Sequence, residues 1–143
     1  MTGGPPGPAP IHELRIALTV DDIDTALHFY HHALGLPVVQ QWSTPEGQGY
    51  ILAFGSTTLE LIDRAQAELI DHIEVGQRVA GSVRLAFEVQ DIEEVRQRLR
   101  EAGARSLADP VHTPWGHDNA RLQAPDGMQI TLYRVPKDGD DKK

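Results

Sequence analysis

RIALTVDDI at residues 15–23 has a near twin, RLAFEVQDI, at residues 84–92, and this pair decides the fold. The two stretches start 69 residues apart, and both begin with arginine and end with Asp-Ile. In both, larger apolar residues alternate with small or polar ones, which indicates a β-strand with one buried face. Aspartate is a favoured helix N-cap, so each stretch predicts a strand that leads into a helix. A repeat of this length indicates two duplicated modules.

Both modules continue in the same way after the first strand. DIDTALHFYHHALG and DIEEVRQRLREAG place apolar residues at helical spacing, and Gly35 and Gly103 end these runs. Further strands are predicted at residues 36–42, 49–55 and 57–63, and again at 104–111, 117–124 and 128–135. We therefore predict an α+β fold in which two βαβββ modules in tandem form a cleft between curved mixed sheets.

The chain divides into a central domain and two short ends. The leader MTGGPPGPAP is rich in glycine and proline, and the tail is short and polar. We expect both ends to be flexible. The predicted boundaries are a leader at 1–10, a single domain at 11–135 and a tail at 136–143, with module one at 11–63, a linker at 64–81 that contains a short helix at 65–72, and module two at 82–135.

Composition excludes several classes of protein. The chain has 143 residues, 40% of them hydrophobic, which suits one globular domain. Its apolar runs are too short for a transmembrane helix, so we expect no membrane partner. The absence of cysteine removes disulfides and thiolate chemistry and fits a cytoplasmic protein. A net charge of −8 argues against a nucleic-acid partner; it mildly favours a cationic ligand, and the alternative is an ordinary acidic surface.

Alternation along the strands separates a helix-packing face from a polar face. On the first strand Ile16, Leu18 and Val20 share one face, and Arg15 lies on the other. Small and charged side chains on the second face are typical of a pocket wall. The residues expected to line the cleft are Arg15, Glu60, Arg84, Glu88, Gln129 and Thr131. His117, Asn119 and Arg121 alternate along a later strand and are placed at the edge of the cavity.

Four motifs in order resemble the vicinal oxygen chelate superfamily over roughly residues 11–135. They are LTVDDIDTALHFYHHALGLPVV, LELID, FEVQDIEEV followed by LREAGA, and APDGMQITLY. This superfamily groups glyoxalase I, methylmalonyl-CoA epimerase, extradiol dioxygenases and the fosfomycin- and bleomycin-resistance proteins. The resemblance implies the fold predicted above and a small-molecule ligand. It says much less about the reaction, because one scaffold hosts many functions.

The catalytic members of the superfamily hold a divalent metal in the cleft through four strand residues. The resemblance places these positions at Arg15, Glu60, Arg84 and Thr131. Arginine offers no lone pair and threonine is a poor ligand, so we expect no metal and no cofactor. His12 is three residues from Arg15 and falls on the opposite face of a regular strand. Only a strand bulge would turn it inward.

The first hypothesis is a metal-independent, homodimeric protein of the bleomycin-resistance type that binds an aromatic natural product or antibiotic. The dimer, with clefts shared at its interface, is implied by the resemblance alone. Arginines would bind an anionic or carbonyl-rich group of the ligand, and aromatic side chains would stack on its flat part. The predicted ligand-binding residues are Arg15, Glu60, Arg84, Glu88, Thr131, Trp42, Tyr50, Trp115, His117 and Asn119.

Three alternatives remain. In the first, the protein is a metal-free lyase or isomerase in which Glu60 is the general base and Arg15 and Arg84 stabilise an enolate-like intermediate. In the second, the protein is a metal-dependent glyoxalase-like lyase whose metal ligands lie at unexpected positions. In the third, the charged side chains have no functional role and pair with one another to hold the sheets apart. That cluster comprises Arg15, Glu60, Arg84 and Glu88.

Overall fold

The computed structural model describes residues 10–136, so the predicted leader and tail lie almost entirely outside the described residues. The elements are β1 (Ile11–Val20), α1 (Ile23–Leu27), a π-helix (His28–Ala33), β2 (Val38–Thr44), β3 (Gly47–Phe54), β4 (Thr57–Asp63), α2 (Arg64–Glu74), β5 (Val83–Val89), α3 (Ile92–Glu101), β6 (Arg105–Ser106), β7 (Val111–His112), β8 (Asp118–Gln123) and β9 (Gln129–Arg134). Their order agrees with the predicted α+β arrangement of two βαβββ modules.

The strands form one mixed sheet in the order β2-β3-β4-β1-β5-β9-β8-β6, and β7 also pairs with β8. In each module the first and last strands are parallel, as β1 is to β4 and β5 is to β9. The two modules meet where β1 runs antiparallel to β5. The sheets of the two modules are therefore joined into one curved sheet with a convex outer face and a concave inner face.

Two of the helices cover the outer face, one for each module. The predicted N-caps are present, since the Asp22 carboxylate accepts from the Thr25 N–H (3.1 Å) and that of Asp91 from the Glu94 N–H (3.0 Å). The first predicted helix changes character after α1 and continues as the π-helix, with longer-range backbone bonds. The outer cores comprise Ile23, Leu52, Leu59 and Leu61 in module one, and Val89, Ile92, Val95, Ala120, Leu122 and Leu132 in module two.

The strand predicted at 104–111 is interrupted. Of these residues, only those of β6 and β7 pair with β8, and the intervening residues leave the ladder. Pro110 precedes β7 directly and has no N–H to donate to a neighbouring strand. The edge of module two is consequently more broken than the matching β2 edge of module one.

Helix α2 lies on the inner face of the sheet. It is longer than the predicted helix at 65–72, and its N-cap Asp63 accepts from the Gln66 N–H (2.9 Å). Its apolar residues Ala67 and Ile70 form a small core with Ile62 of β4, and Trp42 of β2 packs against this core. The linker between the modules therefore occupies the concave side, where an open cleft was expected.

Candidate functional site

The inner face of the sheet brings together most of the predicted site residues. Strand register places Arg15 opposite Thr58 and Ala86, and Thr131 opposite Arg121 and Ala86. The face divides into a part covered by α2 and an open end near the start of β1. Glu60, Arg84, Asn119 and Thr131 are buried in the covered part, whereas Arg15, Glu88 and His117 are half-buried towards the open end.

Glu74, in the last turn of α2, is held by three side chains of the sheet. Its Oε1 accepts from the Thr131 hydroxyl (2.8 Å) and from Arg121 Nε (3.0 Å), and its Oε2 accepts from Asn119 Nδ2 (2.7 Å). Arg121 is 0% exposed and Glu74 is 2% exposed. These charge-assisted hydrogen bonds are buried away from water, and they fix the end of α2 on β8 and β9.

Asp71, one turn earlier in α2, joins the helix to the segment that follows it. Its Oδ1 lies 2.9 Å from Arg121 Nη2, and its Oδ2 accepts from the backbone N–H groups of Val79 and Ala80 (both 2.8 Å) and from Arg78 Nη1 (2.8 Å). Burial alone would raise the pKa of Asp71. The N–H groups of Ala80 and Val79 and the Arg121 guanidinium outweigh it and hold that pKa below its ordinary value.

Arg84 sits between two of the positions that the superfamily resemblance assigns to metal ligands. Its Nη1 donates to the Thr131 hydroxyl (2.9 Å), and its Nη2 lies 3.7 Å from Glu60 Oε1. None of the hydrogen bonds formed among residues 10–136 ends on the Glu60 carboxylate. Three carboxylates, of Glu60, Asp71 and Glu74, thus face three guanidiniums, of Arg78, Arg84 and Arg121.

These residues do not fit a divalent metal. A guanidinium that bonds Thr131 and faces Glu60 places positive charge where the cation would need lone pairs. The bulge that would be needed to reorient His12 is present between Ile11 and Glu13, but the His12 side chain is exposed. Among residues 10–136, no group of three or more His, Cys, Asp or Glu side chains is arranged to hold a metal ion.

At the open end, Glu13 is the centre of a second polar network. It accepts from the Tyr133 hydroxyl (2.6 Å) and the Thr58 hydroxyl (2.7 Å), while Arg15 Nε donates to Thr58 (3.1 Å). Burial opposes the charge on Glu13, but the Tyr133 and Thr58 hydroxyls and the Arg15 charge keep its pKa lowered. Burial and the bond to Glu13 raise the pKa of Tyr133. Arg15 therefore pairs with Glu13 (3.6 Å), and no ion pair joins it to Glu88.

His117 borders this network. Its ring stacks on Tyr133 with centroids 5.7 Å apart and an interplanar angle of 18°. The Thr113 hydroxyl positions it by accepting from the His117 backbone N–H (3.0 Å). Burial and the nearby Arg15 charge lower the pKa of His117 from its ordinary 6.5, so the imidazole is neutral at pH 7.

Little space remains beneath α2. Between the helix, the segment that follows it and the sheet lies a cavity of about 10 Å³, bordered by Ala17, Ile70 and Arg84. This is roughly the volume that holds one water molecule. A ligand larger than water therefore enters this space beside Arg84 only if α2 moves.

The aromatic residues predicted to bind ligand are spread over different surfaces. Trp42 is half-buried beside α2, with its indole directly against Gly49. Trp115 is 42% exposed in the loop before β8. Tyr50 lies on the outer face among the residues packed on α1, opposite Leu61 of β4, so the structure does not bring it to the inner face.

Sequence reasoning missed Glu13, Asp71 and Glu74. The two α2 residues carried a recognisable signal, because Ala67, Ile70, Asp71 and Glu74 follow the spacing of one helix face. Carboxylates that continue an apolar helix face predict buried cations opposite them. Glu13 lies two residues before Arg15, so the alternation that placed Arg15 on the inner face also places Glu13 there.

The sheet is built from two repeated modules and has a charged inner face, and this arrangement agrees with the superfamily that the sequence motifs resemble. The family model of the Glyoxalase/Bleomycin resistance protein/Dioxygenase superfamily matches residues 14–132. The chain therefore belongs to this superfamily, as its sequence motifs predicted.

Solved structures share the fold. They include a hypothetical protein from Bacillus halodurans C-125 (22% identity, TM-score 0.63, 90% of this chain and 95% of that chain). Methylmalonyl-CoA epimerase from Mycobacterium tuberculosis is similar (21%, 0.59, 90% and 89%), as is a glyoxalase/bleomycin resistance protein/dioxygenase superfamily member from Vibrio splendidus 12B01 (18%, 0.59, 85% and 97%). At these identities the similarity establishes the fold alone. No curated protein sequence matches the chain. Within residues 10–136, none of the helices has the length and apolar character needed to cross a bilayer.

Proposed function

We propose that this protein binds a small molecule on the inner face of its sheet without using a metal. The observation that carries the proposal is the Arg84 guanidinium, bonded to Thr131 and facing Glu60 at the positions where catalytic relatives keep metal ligands. A guanidinium presents several N–H donors to carboxylate or carbonyl oxygens, and in a buried setting it discriminates strongly in favour of such groups.

The open end supplies the accessible part of the site. Arg15 uses Nε for Thr58, and its Nη2 is 3.6 Å from Glu13, which is too long for a hydrogen bond. Its terminal nitrogens therefore keep N–H groups for a ligand. The neutral imidazole of His117 adds a donor or acceptor beside them. A ligand would bind first to Arg15 and His117 and would extend under α2 as the helix shifts.

The finer proposal is a binding protein of the bleomycin-resistance type, which sequesters an aromatic natural product or antibiotic in the cytoplasm as a homodimer. The exposed indole of Trp115 supports an aromatic ligand, since it offers a large stacking surface in the loop that leads to His117. One chain contributes both halves of the inner face, so the dimer is not needed to complete the site. Light scattering coupled to size-exclusion chromatography tests the dimer: a mass of one chain, 15.8 kDa, would contradict it.

A second candidate is a metal-free isomerase or lyase, and it is supported by the carboxylate of Glu60, which faces Arg84 but accepts no hydrogen bond from residues 10–136. Glu60 is 9% exposed and its nearest cation, Arg84, is 3.7 Å away, so its oxygens remain available as a base. Arg84 would then stabilise negative charge that develops on a substrate oxygen. Methylmalonyl-CoA epimerase, with the same fold, shows that the scaffold is compatible with an isomerase.

A ligand screen by thermal shift, followed by mass spectrometry of the recovered compound, tests these proposals. Binding predicts an unchanged compound and a loss of affinity in Arg15→Ala and Arg84→Ala. Arg64→Ala is the matched control, because Arg64 is exposed and its one ion pair among residues 10–136 is with Asp21. Turnover that disappears in Glu60→Gln would instead support the enzyme. If both inner-face variants bind the ligand as tightly as the control does, the arginines are structural and the proposal is wrong.

A further inference from the structure

We infer that Asn119, Arg121 and Thr131 form a carboxylate-binding subsite, which Glu74 of α2 occupies as a tethered ligand. This deepens the proposed function and rests on it, since it names the chemical class of the small molecule. The three donors converge on one carboxylate group, with both oxygens engaged at 2.7–3.0 Å. They are 4%, 0% and 1% exposed, respectively.

The subsite belongs to the sheet rather than to the helix. Arg121 and Thr131 are direct register partners on β8 and β9, and Asn119 is two residues before Arg121 on the same face. Gln129 accepts from Arg121 Nη1 (3.1 Å) and so fixes the guanidinium from the side away from Glu74. Donors held on paired strands are preorganised, and they keep their geometry when the group they bind is exchanged.

An external carboxylate would reach this subsite only when α2 leaves the inner face, so the stability of α2 decides whether the exchange occurs. Helix α2 has 11 residues, and helices shorter than about 12–15 residues are marginal in water without tertiary contacts. The segment after it, residues 75–82, forms no regular structure, and Gly76 there adopts a left-handed φ of +91°. An external carboxylate that replaced Glu74 would restore every hydrogen bond of the subsite. The exchange therefore costs the apolar contacts and the Asp71 interactions of α2, together with the entropy of immobilising a free ligand.

An unused acceptor narrows the ligand class. Asn119 Oδ1 is buried and has no hydrogen-bond partner within the part of the chain that the structure describes. Its amide orientation is fixed because Nδ2 must face the Glu74 carboxylate. Buried acceptors are normally paired, so a ligand with a donor close to its carboxylate would complete the subsite. The geometry thus points to a 2-hydroxy or 2-amino carboxylate in preference to a simple carboxylate.

Glu74→Ala provides the test, with acetate and glycolate as probes. Truncation leaves a gap of about the size of acetate beside Arg121, so acetate should raise the melting temperature saturably, beyond an equal concentration of chloride. Glycolate, which adds a hydroxyl, should bind about fivefold more tightly, the ratio expected for one net hydrogen bond of about 1 kcal/mol. In the wild type and in Glu74→Gln the side chain still fills the subsite. These proteins should show neither effect at the acetate and glycolate concentrations that saturate Glu74→Ala.

Two further measurements make the result decisive. Arg121→Met combined with Glu74→Ala should abolish the response to acetate. If Glu74→Ala does not fold alone, refolding followed by circular dichroism should depend on acetate and not on chloride. A response no larger than that to chloride, in either assay, overturns the inference. The two proposals fail under different outcomes. If acetate does not bind but the wild-type screen finds ligands without a carboxylate, the subsite inference fails and the proposed function stands. The proposed function fails when the Arg15 and Arg84 variants bind the ligand as tightly as the control does.

Discussion

Removal of the buried guanidinium of Arg121 should destabilise the protein more than removal of an exposed one. Arg121→Met leaves the carboxylates of Asp71 and Glu74, each 1% exposed, without the cation that lies 2.9–3.0 Å from them. Asp71 keeps Arg78 and two backbone N–H groups, so the loss falls chiefly on Glu74. Breaking a buried pair from one side costs about 3–5 kcal/mol, and we expect a decrease of this size in the free energy of unfolding.

Urea denaturation with linear extrapolation measures this change. The control is Arg64→Met, which breaks a pair of shorter distance, 2.6 Å, whose side chains are 77% and 78% exposed. An exposed pair contributes less than about 1 kcal/mol despite its ideal distance. Glu74→Gln added to Arg121→Met removes the uncompensated charge and should recover part of the loss. If Arg121→Met falls within about 1 kcal/mol of the control, the ion pairs do not fasten α2 and the reasoning is refuted.

Three other measurements follow from the structure. Because the pKa of Asp71 is lowered in the folded state, its stabilising effect is lost as pH falls below its ordinary value of 3.8; Asp71→Asn should flatten the acid side of the stability curve. Burial and the hydrogen bond to Glu13 raise the pKa of Tyr133, so this phenol does not ionise near pH 10 in the native protein. Tyr133→Phe should therefore leave the absorbance titration near pH 10 unchanged. Gly47→Ala should lower the melting temperature, because its Cβ would lie 2.6 Å from the backbone nitrogen of Gln66 at a φ of +141°.

The sequence was sufficient to predict the strands and outer helices because each is defined by a local signal. Asp22 and Asp91 start helices by capping, and alternation in β1 and β5 separates two chemically distinct faces. Strand β3 shows where this method ends. Tyr50 and Ile51 are both apolar, so alternation cannot say which faces inward. Only the pairing of β3 with β4, a long-range contact, places Tyr50 outside.

The inner-face site was predicted in part for the same reason. Alternation correctly placed Glu60 and Arg84 on one face, and the structure brings them to 3.7 Å. The position of α2 was beyond local reasoning, because an amphipathic helix pattern gives its buried face but not the surface that it covers. The predicted arginine–glutamate cluster also has different members in the structure. Glu74 and Asp71 join Glu60 and Arg84, whereas Arg15 pairs with Glu13 and Glu88 takes no part.

The charge balance of the inner face constrains what the site accepts. Arg121 is fully buried, and an uncompensated buried guanidinium costs several kcal/mol. A neutral ligand that displaced α2 would remove Glu74 without replacing its charge, so it would bind against that cost. A carboxylate ligand would not. If the proposed function holds, a neutral aromatic compound would bind at the open end near Arg15, whereas an anion would be favoured at the surface beneath α2. Helix α2 would then select ligands by their charge before any contact with Glu60 decides between binding and catalysis.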